Sequence, residues 1–492
     1  MSRRTLLLVA VCGAAIGTAF RVWAVLLPQG ALDADEAVVG LMARGILHGT
    51  LPVFFPGQGY GGTQESFLAA PVVAVFGLET WAIRIVVVLL WAASAILVWR
   101  IGLRVLDERR AVLAATIFWI WPTYFDWKST RAHGFYGSEL FLGLTVLLLV
   151  LRLAERVTRR DLVLLGLALG CGLWASPQVA IVALPALGWL VWRRRDVVRG
   201  WTLVVPATLV GALPWLLGNL RHDWYSLHPG HNEGAWTAHL HNLVVATLPE
   251  ALGLRLAWSF EWLGTAVVGY LIYAALVAGF VWLLVRRPPQ LAPLLLIVAI
   301  FPLFYFVSPY TWLQNEPRYL MLVLPIFALL IAYSLTTPLR ATAALLCALV
   351  LTVAGFVELE RHNVVAFRTE GTAVPADLDP ALDTLQAHHI GYAFASYWIA
   401  WRITFESDLH VIGAKSSYAH PFARGGRVYP GDPNGDLGID PTYYREAEQH
   451  RDVAHVFVLG GDVEPHVRAL LRRTGYRRVV SGDFAVWLPP GA

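Results

Sequence analysis

Residues 79–103 read ETWAIRIVVVLLWAASAILVWRIGL, and the stretch between Arg84 and Arg100 contains no charged residue. A helix needs about 20 consecutive, mostly apolar residues to cross the hydrocarbon core of a bilayer. The stretch meets that length, and its arginines lie close to its two ends. It therefore predicts a membrane-spanning helix.

Comparable apolar blocks recur through the first 360 residues of this 492-residue chain. The chain is 57% hydrophobic and 15% charged, whereas soluble domains carry about 25% charged residues. This composition argues against a soluble enzyme and favours a polytopic α-helical membrane protein. The blocks predict about eleven spans, with approximate cores at 5–28, 79–103, 111–125, 135–151, 161–175, 178–192, 200–219, 263–285, 290–307, 319–336 and 341–357.

Arginines are concentrated in alternate loops between these blocks, which we call the basic loops. Cytoplasmic loops of membrane proteins are enriched in Lys and Arg. We therefore expect a multi-pass protein of a bacterial plasma membrane with a cytoplasmic N-terminus and, for an odd number of spans, an external C-terminus. The same distribution explains the net charge of +4 without a nucleic-acid partner. The arginines of the basic loops are Arg3, Arg4, Arg100, Arg104, Arg109, Arg110, Arg152, Arg156, Arg159, Arg160, Arg193, Arg194, Arg195, Arg199, Arg286, Arg287 and Arg340.

Two long segments are predicted to lie outside the membrane. In the first loop (29–78), Glu36–His48 has helical spacing, and Ser66–Phe76 is apolar but too short to span. We interpret both stretches as helices lying in the membrane interface. The C-terminal segment (360–492) is richer in charge, Gly and Pro, and alternates strand and helix patterns typical of a small α/β domain. We therefore predict a membrane domain (1–359) and an extracytoplasmic α/β domain (360–492). Its predicted elements are strands at Tyr392–Ser396, Leu409–Ile412, His455–Leu459 and Val479–Leu488, and helices at Pro380–Ala387, Ile399–Glu406 and Val463–Arg473.

Asp33, Asp35 and Glu36, the acidic cluster, place three carboxyl groups within four residues at the start of the first interfacial helix. Asp33 or Asp35 can act simply as a helix cap, since carboxylates are favoured at helix N-termini. A carboxylate at this place can also serve as the general base of a group transfer. Closely spaced Asp33 and Asp35 can further hold Mg²⁺ or Mn²⁺. The pattern alone leaves these interpretations open.

The sequence around the acidic cluster resembles the first outer loop of GT-C class membrane glycosyltransferases. The residues that carry this resemblance are DEAVVGLMARGILHG (35–49), LPVFF (51–55) and YGGTQE (60–65). The resemblance is to the dolichyl-phosphate-mannose protein mannosyltransferase-like family and to the lipid A aminoarabinose transferase. A second segment, NEPRYLMLVLP (315–325), resembles the Arg-Tyr segment that enters a late span of the same family.

This resemblance implies a sugar donor carried on polyprenyl phosphate and transfer at the outer membrane face with inversion at the anomeric carbon. Asp35 is then the base that deprotonates the acceptor, and Glu36 orients it or assists a cation. Arg318 pairs with the donor phosphate as it leaves. Tyr60, Glu65 and Tyr319 belong to the matching segments and are candidate substrate contacts. The acceptor is a protein, a glycolipid or a polysaccharide of the cell envelope.

The predicted outer turn 126–139, DWKSTRAHGFYGSE, adds further candidates. Related enzymes place a second acidic residue near this region, and either Asp126 or Glu139 can fill that place. Lys128, Arg131 and His133 are candidate phosphate contacts, or members of an ordinary charged turn. Glu139 lies inside an apolar block, where a lone carboxylate costs about 2.5–3.5 kcal/mol, so it should face a polar cavity or a partner.

Two other classes of function compete with a transferase. A transporter or flippase of lipid-linked sugars would show repeats and binding residues near the middle of the membrane, whereas here the polar residues gather at one interface. A non-catalytic scaffold of envelope assembly would tolerate the loss of Asp35.

Overall fold

The computed structural model describes residues 3–56, 58, 60–227, 236–308, 317–431 and 442–492. Residues 3–361 are almost entirely helical. Their helices are α1 (Arg3–Leu26), α2 (Ala34–Leu47), α3 (Gln64–Phe76), α4 (Thr80–Val105), α5 (Glu108–Ile120), α6 (Thr123–Lys128), α7 (Tyr136–Glu155), α8 (Arg159–Ala175), α9 (Ala180–Arg193), α10 (Trp201–Gly211), α11 (Leu213–Arg221), α12 (Trp236–Asn242), α13 (Leu248–Ala251), α14 (Ala266–Arg286), α15 (Ala292–Val307), α16 (Leu324–Ser334) and α17 (Pro338–Arg361). Short 3-10 turns lie at Pro28–Gly30, Pro177–Val179, Arg195–Gly200, Tyr225–Leu227, Pro289–Leu291 and Pro317–Leu320, and a π turn at Leu243–Thr247.

Six helices of the described chain are long and apolar enough to cross a membrane: α1, α4, α7, α14, α15 with its preceding turn, and α17. Helices α10 and α11, bent by 54°, make a seventh if they form one broken span. The remaining four predicted spans fall on α5, α8, α9 and α16, which have 13, 17, 14 and 11 residues. A membrane-like helical architecture is thus confirmed, and the count of eleven spans stays a prediction.

The first loop folds into α2 and α3, close to the two predicted helices. Asp33 begins α2 because its carboxylate accepts a hydrogen bond from the backbone N–H of Glu36 at 3.1 Å. This is the usual way to satisfy an N–H group at a helix start. Helix α3 ends at Gly77, whose φ of +85° suits glycine.

The C-terminal segment contains a five-stranded sheet in the order β4-β3-β7-β9-β8. Strand β3 is parallel to β4 and β7, whereas β9 is antiparallel to β7 and β8. The strands of the segment are β1 (Arg368–Thr369), β2 (Thr372–Ala373), β3 (Tyr392–Ala395), β4 (Ile412–Lys415), β5 (Phe422–Arg424), β6 (Arg427–Tyr429), β7 (Val453–Val458), β8 (Arg477–Ser481) and β9 (Phe484–Leu488). Its helices are α18 (Asp379–Ala387), α19 (Tyr397–Glu406), α20 (Thr442–Gln449) and α21 (Val463–Arg473).

The predicted α/β alternation is found, with two corrections. The run Val479–Leu488 is a hairpin of two strands, since Gly482 turns the chain with a φ of +55°. The strand expected at Leu409 begins at Ile412 instead, because Asp408 and Leu409 adopt left-handed conformations that end α19. Left-handed backbone is incompatible with a strand.

Helix α19 joins the C-terminal segment to the helical part by packing along α2. Phe405 lies so close to Gly40 that a Cβ atom added there would be 2.3 Å from its ring. Trp401 and Phe405 belong to the same buried cluster as the membrane helices. The close approach of α2 and α19 determines what surrounds the acidic cluster.

Candidate active site

The three carboxyl groups of the acidic cluster differ in burial. Asp33 and Glu36 are only 2% and 0% exposed, whereas Asp35 is partly exposed. Asp33 caps α2 and also accepts hydrogen bonds from His133 Nε2 at 2.6 Å and Arg131 Nη2 at 2.7 Å. Burial alone would raise the pKa of Asp33, but His133 and Arg131 hold it well below its usual value. Asp33 is therefore an anionic structural partner.

Glu36 is surrounded by donors. Arg84, on α4, donates from Nε to Oε1 at 2.8 Å and from Nη2 to Oε2 at 2.6 Å. Arg131 Nη2 lies 2.6 Å from Oε2, and the backbone N–H of Ala132 donates to Oε1 at 3.0 Å. A bidentate arginine pair of this kind fixes geometry as well as charge. Glu36 thus ties α2 to α4 and to the turn 126–139, and we interpret its role as orienting its neighbour.

Asp35 has a different environment. Its Oδ1 accepts a hydrogen bond from the hydroxyl of Tyr397, the first residue of α19. Burial and the nearby negative charge of Asp33 raise the pKa of Asp35, while His133, Tyr397 and Lys128 oppose that rise. A carboxylate that is partly exposed and whose pKa is raised is suited to general-base chemistry.

The turn 126–139 is held against the acidic cluster by a chain of polar contacts. Lys128 Nζ lies 2.6 Å from His133 Nδ1, and His133 Nε2 lies 2.6 Å from Asp33. His133 therefore bridges Lys128 and Asp33, which places Lys128 beside the acidic cluster.

The sequence predicts Arg131 as a candidate phosphate contact, but in the structure its terminal nitrogens bind groups of the protein itself. They donate to the carbonyl oxygens of Gly30 and Ala31 and to the carboxylates of Asp33 and Glu36. The side chain is 1% exposed. Arg131 therefore fits the alternative interpretation, in which it belongs to an ordinary charged turn and binds no phosphate.

Lys128 and Arg318 meet at the ring of Tyr136. The Lys128 ammonium lies 4.2 Å from the ring centroid, and the Arg318 guanidinium carbon lies 5.9 Å from it. Arg318 also lies 5.4 Å from the ring of its neighbour Tyr319. Two residues distant in sequence thus bring positive charge to one aromatic ring, and one of them, Lys128, also acts electrostatically on Asp35. We call Lys128, Tyr136 and Arg318 the cationic cluster.

The remaining acidic candidates, Asp126, Glu65 and Glu139, are each only 1% exposed. Asp126 pairs with Arg21 of α1 at 3.2 Å, which ties it to the bundle. Glu65 Oε1 accepts from the backbone N–H of Ser138 at 3.0 Å, and burial raises the pKa of Glu65 to about 7. Glu139 is bonded to Ser176 and interacts electrostatically with Glu65. Of the two candidates for a second acid, Glu139 therefore lies beside Glu65, whereas Asp126 is held by an arginine.

Tyr60 makes an edge-to-face contact with Phe135, with 6.2 Å between the ring centroids. For a metal ion, the described residues contain no group of three or more His, Cys, Asp or Glu side chains in suitable positions. Asp33 already accepts from three donors, which disfavours it as a ligand. The prediction of Mg²⁺ or Mn²⁺ at Asp33 and Asp35 stays untested.

Sequence reasoning missed Tyr397. A signal was available: Ser396 and Tyr397 follow β3 at the carboxyl end of a parallel strand, where α/β sheets commonly place functional residues. What the sequence did not reveal is that this sheet edge meets α2, because the contact joins residues 362 positions apart.

Residues 65–217 match the family model described as dolichyl-phosphate-mannose-protein mannosyltransferase. Among solved structures, ArnT from Cupriavidus metallidurans bound to undecaprenyl phosphate is similar, with a TM-score of 0.67 and 13% identity over 98% of each chain. An oligosaccharyltransferase of Archaeoglobus fulgidus in complex with an inhibitory peptide and a dolichol-phosphate matches with a TM-score of 0.51 and 14% identity, over 92% of this chain and 69% of that one. No curated protein sequence matches.

At these identities the likeness shows a shared fold. The predicted GT-C-like fold, which the chain shares with ArnT, is therefore confirmed.

Proposed function

We propose that this protein is a glycosyltransferase that moves a sugar from a polyprenyl-phosphate donor to an acceptor hydroxyl, with inversion and with Asp35 as general base. The observation that carries the proposal is the position of Asp35, a partly exposed carboxylate on which Lys128 of the cationic cluster acts electrostatically. The family-model match and a structural neighbour that was solved with undecaprenyl phosphate support the choice of donor.

The reaction is a single displacement at the anomeric carbon. Asp35 takes the proton of the acceptor hydroxyl as its oxygen bonds to that carbon, and the bond from carbon to the phosphate oxygen breaks. Polyprenyl phosphate leaves with the bonding electrons. A correctly placed general base contributes about 10²–10⁴-fold to such a step.

The cationic cluster is suited to the phosphate. Charge builds up on the phosphate as it departs, and positive groups already in place lower the barrier electrostatically. Arg318 can bind two phosphate oxygens through its planar fork, whereas Lys128 acts as a point charge. Both cations lie close to the Tyr136 ring and so belong to one site.

The two ends of the helical part support an external site. Two of the basic loops, 100–110 and 152–160, meet at one end, where Arg104 of α4 pairs with Glu155 and Arg152 of α7 pairs with Asp161. The acidic cluster lies at the opposite end, after α1 and near the starts of α4 and α7. If the basic loops are cytoplasmic, transfer occurs on the outer face, where sugars travel on lipid carriers.

The test is carried out in the source bacterium, by mass spectrometry of lipid-linked sugars and envelope glycans in a strain that lacks the gene. We expect one lipid-linked sugar to accumulate and one glycan decoration to disappear, which would identify donor and acceptor together. Complementation with Asp35→Asn should leave both defects, while Glu79→Gln, an exposed carboxyl change at the start of α4, should repair them. Full repair by Asp35→Asn would rule out Asp35 as the general base and favour a non-catalytic scaffold of envelope assembly.

A purified protein distinguishes transfer from transport. In liposomes that contain extracted lipid-linked sugar and acceptor, a transferase yields a new glycosidic product, and a flippase only moves the lipid. EDTA in this assay tests the cation: loss of product with recovery on adding Mg²⁺ or Mn²⁺ supports a metal role, and unchanged product argues against it.

A further inference from the structure

The C-terminal segment reaches the acidic cluster through one residue, Tyr397. Its hydroxyl donates to Oδ1 of Asp35. Tyr397 is the first residue of α19, directly after Ser396, whose extended backbone ends β3. The side chain that contacts Asp35 is therefore held by both a strand and a helix of the C-terminal segment.

Helix α19 runs alongside α2 in the same direction, and contacts recur along both. Tyr397 at the start of α19 meets Asp35, Phe405 in its last turn meets Gly40, and Asp408, just beyond its end, forms an ion pair with Arg44. These three contacts fix the position of α19 along α2. Because two of the three contacts lie away from the acidic cluster, they hold Tyr397 in place independently of Asp35.

A second contact brings the C-terminal segment onto the turn 126–139. Phe367 stacks on Trp398, the neighbour of Tyr397, with ring centroids 4.3 Å apart. The same Phe367 lies 6.0 Å from the ring of His133. Trp398 and Tyr397 also meet edge to face at 5.3 Å. The C-terminal segment is thus packed around the site on two sides.

We propose that Tyr397 is a positioning residue for the transfer reaction, holding Oδ1 of Asp35 so that Oδ2 faces the acceptor hydroxyl. The inference rests on the proposed function and deepens it, because it makes the C-terminal segment part of the active site. A free carboxylate rotates about its Cβ–Cγ bond, and a fixed hydrogen bond to one oxygen limits that rotation. Holding reacting groups in productive geometry is a large part of enzymatic rate enhancement.

The hydrogen bond from Tyr397 also changes the proton affinity of Asp35. The groups that act on Asp35 are Asp33 at the α2 N-cap, His133 and Lys128 from the turn 126–139, and Tyr397 from α19. Lys415 of β4 lies 6.0 Å from the centroid of the Tyr397 ring. Burial and Asp33 raise the pKa of Asp35, and the Tyr397 hydroxyl lowers it. Removal of that hydroxyl should therefore raise it further.

The test compares Tyr397→Phe with the wild type in the transfer assay. We expect kcat to fall by about 10- to 100-fold, with the KM for donor unchanged within about twofold. The acid limb of the kcat profile should move to higher pH, because the carboxylate protonates more readily. A wild-type kcat together with an unmoved acid limb would overturn the inference.

Arg44→Gln is the matched control, because it breaks the Arg44–Asp408 pair on the same helix interface without touching Asp35. It should leave the acid limb in place. If Arg44→Gln reproduced both the loss of kcat and the pH shift, Tyr397 would merely report docking of α19, and the inference would fail. Asp35→Asn separates the two proposals: an active Asp35→Asn overturns the base, whereas an inactive one beside a wild-type-like Tyr397→Phe overturns the positioning role alone.

Should Tyr397→Phe not accumulate, site-specific replacement of Tyr397 by 3-fluorotyrosine keeps the ring and its packing. The fluorinated phenol is a stronger hydrogen-bond donor, so the acid limb should move to lower pH. An unmoved limb in this protein would overturn the inference.

Discussion

Asp33 and Asp35 are the same residue type two positions apart, yet their surroundings drive their proton affinities in opposite directions. Asp33 accepts from His133 and Arg131, which hold its pKa well below the usual value. Asp35 is left with burial and the charge of Asp33, which raise its pKa. Pairs of carboxyl groups separated in this way commonly mark an acid–base site.

This difference predicts the pH dependence of the reaction. A base works in its deprotonated form, so kcat should fall as pH decreases through the pKa of Asp35, which lies above the ordinary value of about 3.9. The measurement is kcat against pH at saturating donor and acceptor. Glu65, whose pKa is raised to about 7 by burial, is the competing origin of such a limb. A limb that disappears in Glu65→Gln would assign the titration to Glu65 and contradict this prediction.

Arg318 carries a second prediction for the same site. Arg318→Ala removes a charge-assisted partner worth about 1.5–3 kcal/mol, so the KM for donor should rise at least tenfold. Arg318→Lys keeps the charge but not the fork and should be intermediate. The measurement is initial rate against donor concentration for the three proteins. An unchanged KM in Arg318→Ala would argue against the phosphate role.

At the residue scale the sequence identified the acidic cluster, but it could not show which of its carboxyl groups has a raised pKa and which has a lowered one. Asp33 differs from Asp35 through partners at positions 131 and 133, about 100 residues away. The same holds for Lys128 and Arg131, which lie three residues apart in one turn. One points toward Tyr136 and the other into a closed ion network. Such choices depend on tertiary contacts that local spacing does not encode.

Helix α2 is fixed at its start by Glu36, and this gives a prediction about stability. Glu36→Gln removes the buried carboxylate that pairs with Arg84, while Arg131 keeps its pair with Asp33. Breaking a buried ion pair typically costs about 3–5 kcal/mol. The thermal midpoint of the purified protein in detergent should fall clearly, with activity lost as the turn 126–139 loosens. Glu79→Gln, exposed at the start of α4, should melt like the wild type. Equal midpoints for both variants would show that the Glu36 network adds little to stability.

Element prediction succeeded where one physical pattern dominates. Apolar runs give α1, α4, α7, α14 and α17, and amphipathic spacing gives α2. It failed at β8 and β9, where a glycine turn inside an apolar run looks like one strand. Helices α5 and α16 are short and largely buried among other helices, so hydropathy alone cannot decide whether each crosses the membrane.

On the scale of the molecule, the polar chemistry is divided between two ends. The basic loops 100–110 and 152–160 meet at one end, and the acidic cluster lies at the other, with Lys128 and with Tyr397 of the C-terminal segment beside it. The sequence predicted this division from arginine distribution alone, because the bias acts on loop composition and needs no tertiary contact. The sequence did not predict the docking of α19 on α2, because that depends on tertiary contacts.

The division predicts a definite orientation in the membrane. In a protein whose three cysteines, Cys12, Cys171 and Cys347, are replaced, single cysteines are introduced as Glu79→Cys at the site end and Arg195→Cys at the basic end, both exposed positions. A membrane-impermeant maleimide should label position 79 in intact spheroplasts and position 195 only after the membrane is opened. Arg195→Cys removes one of many arginines, so it should not invert the protein. Labelling of position 195 but not 79 in intact spheroplasts would place the site in the cytoplasm, where nucleotide sugars are available, and would remove the reason for a lipid-linked donor.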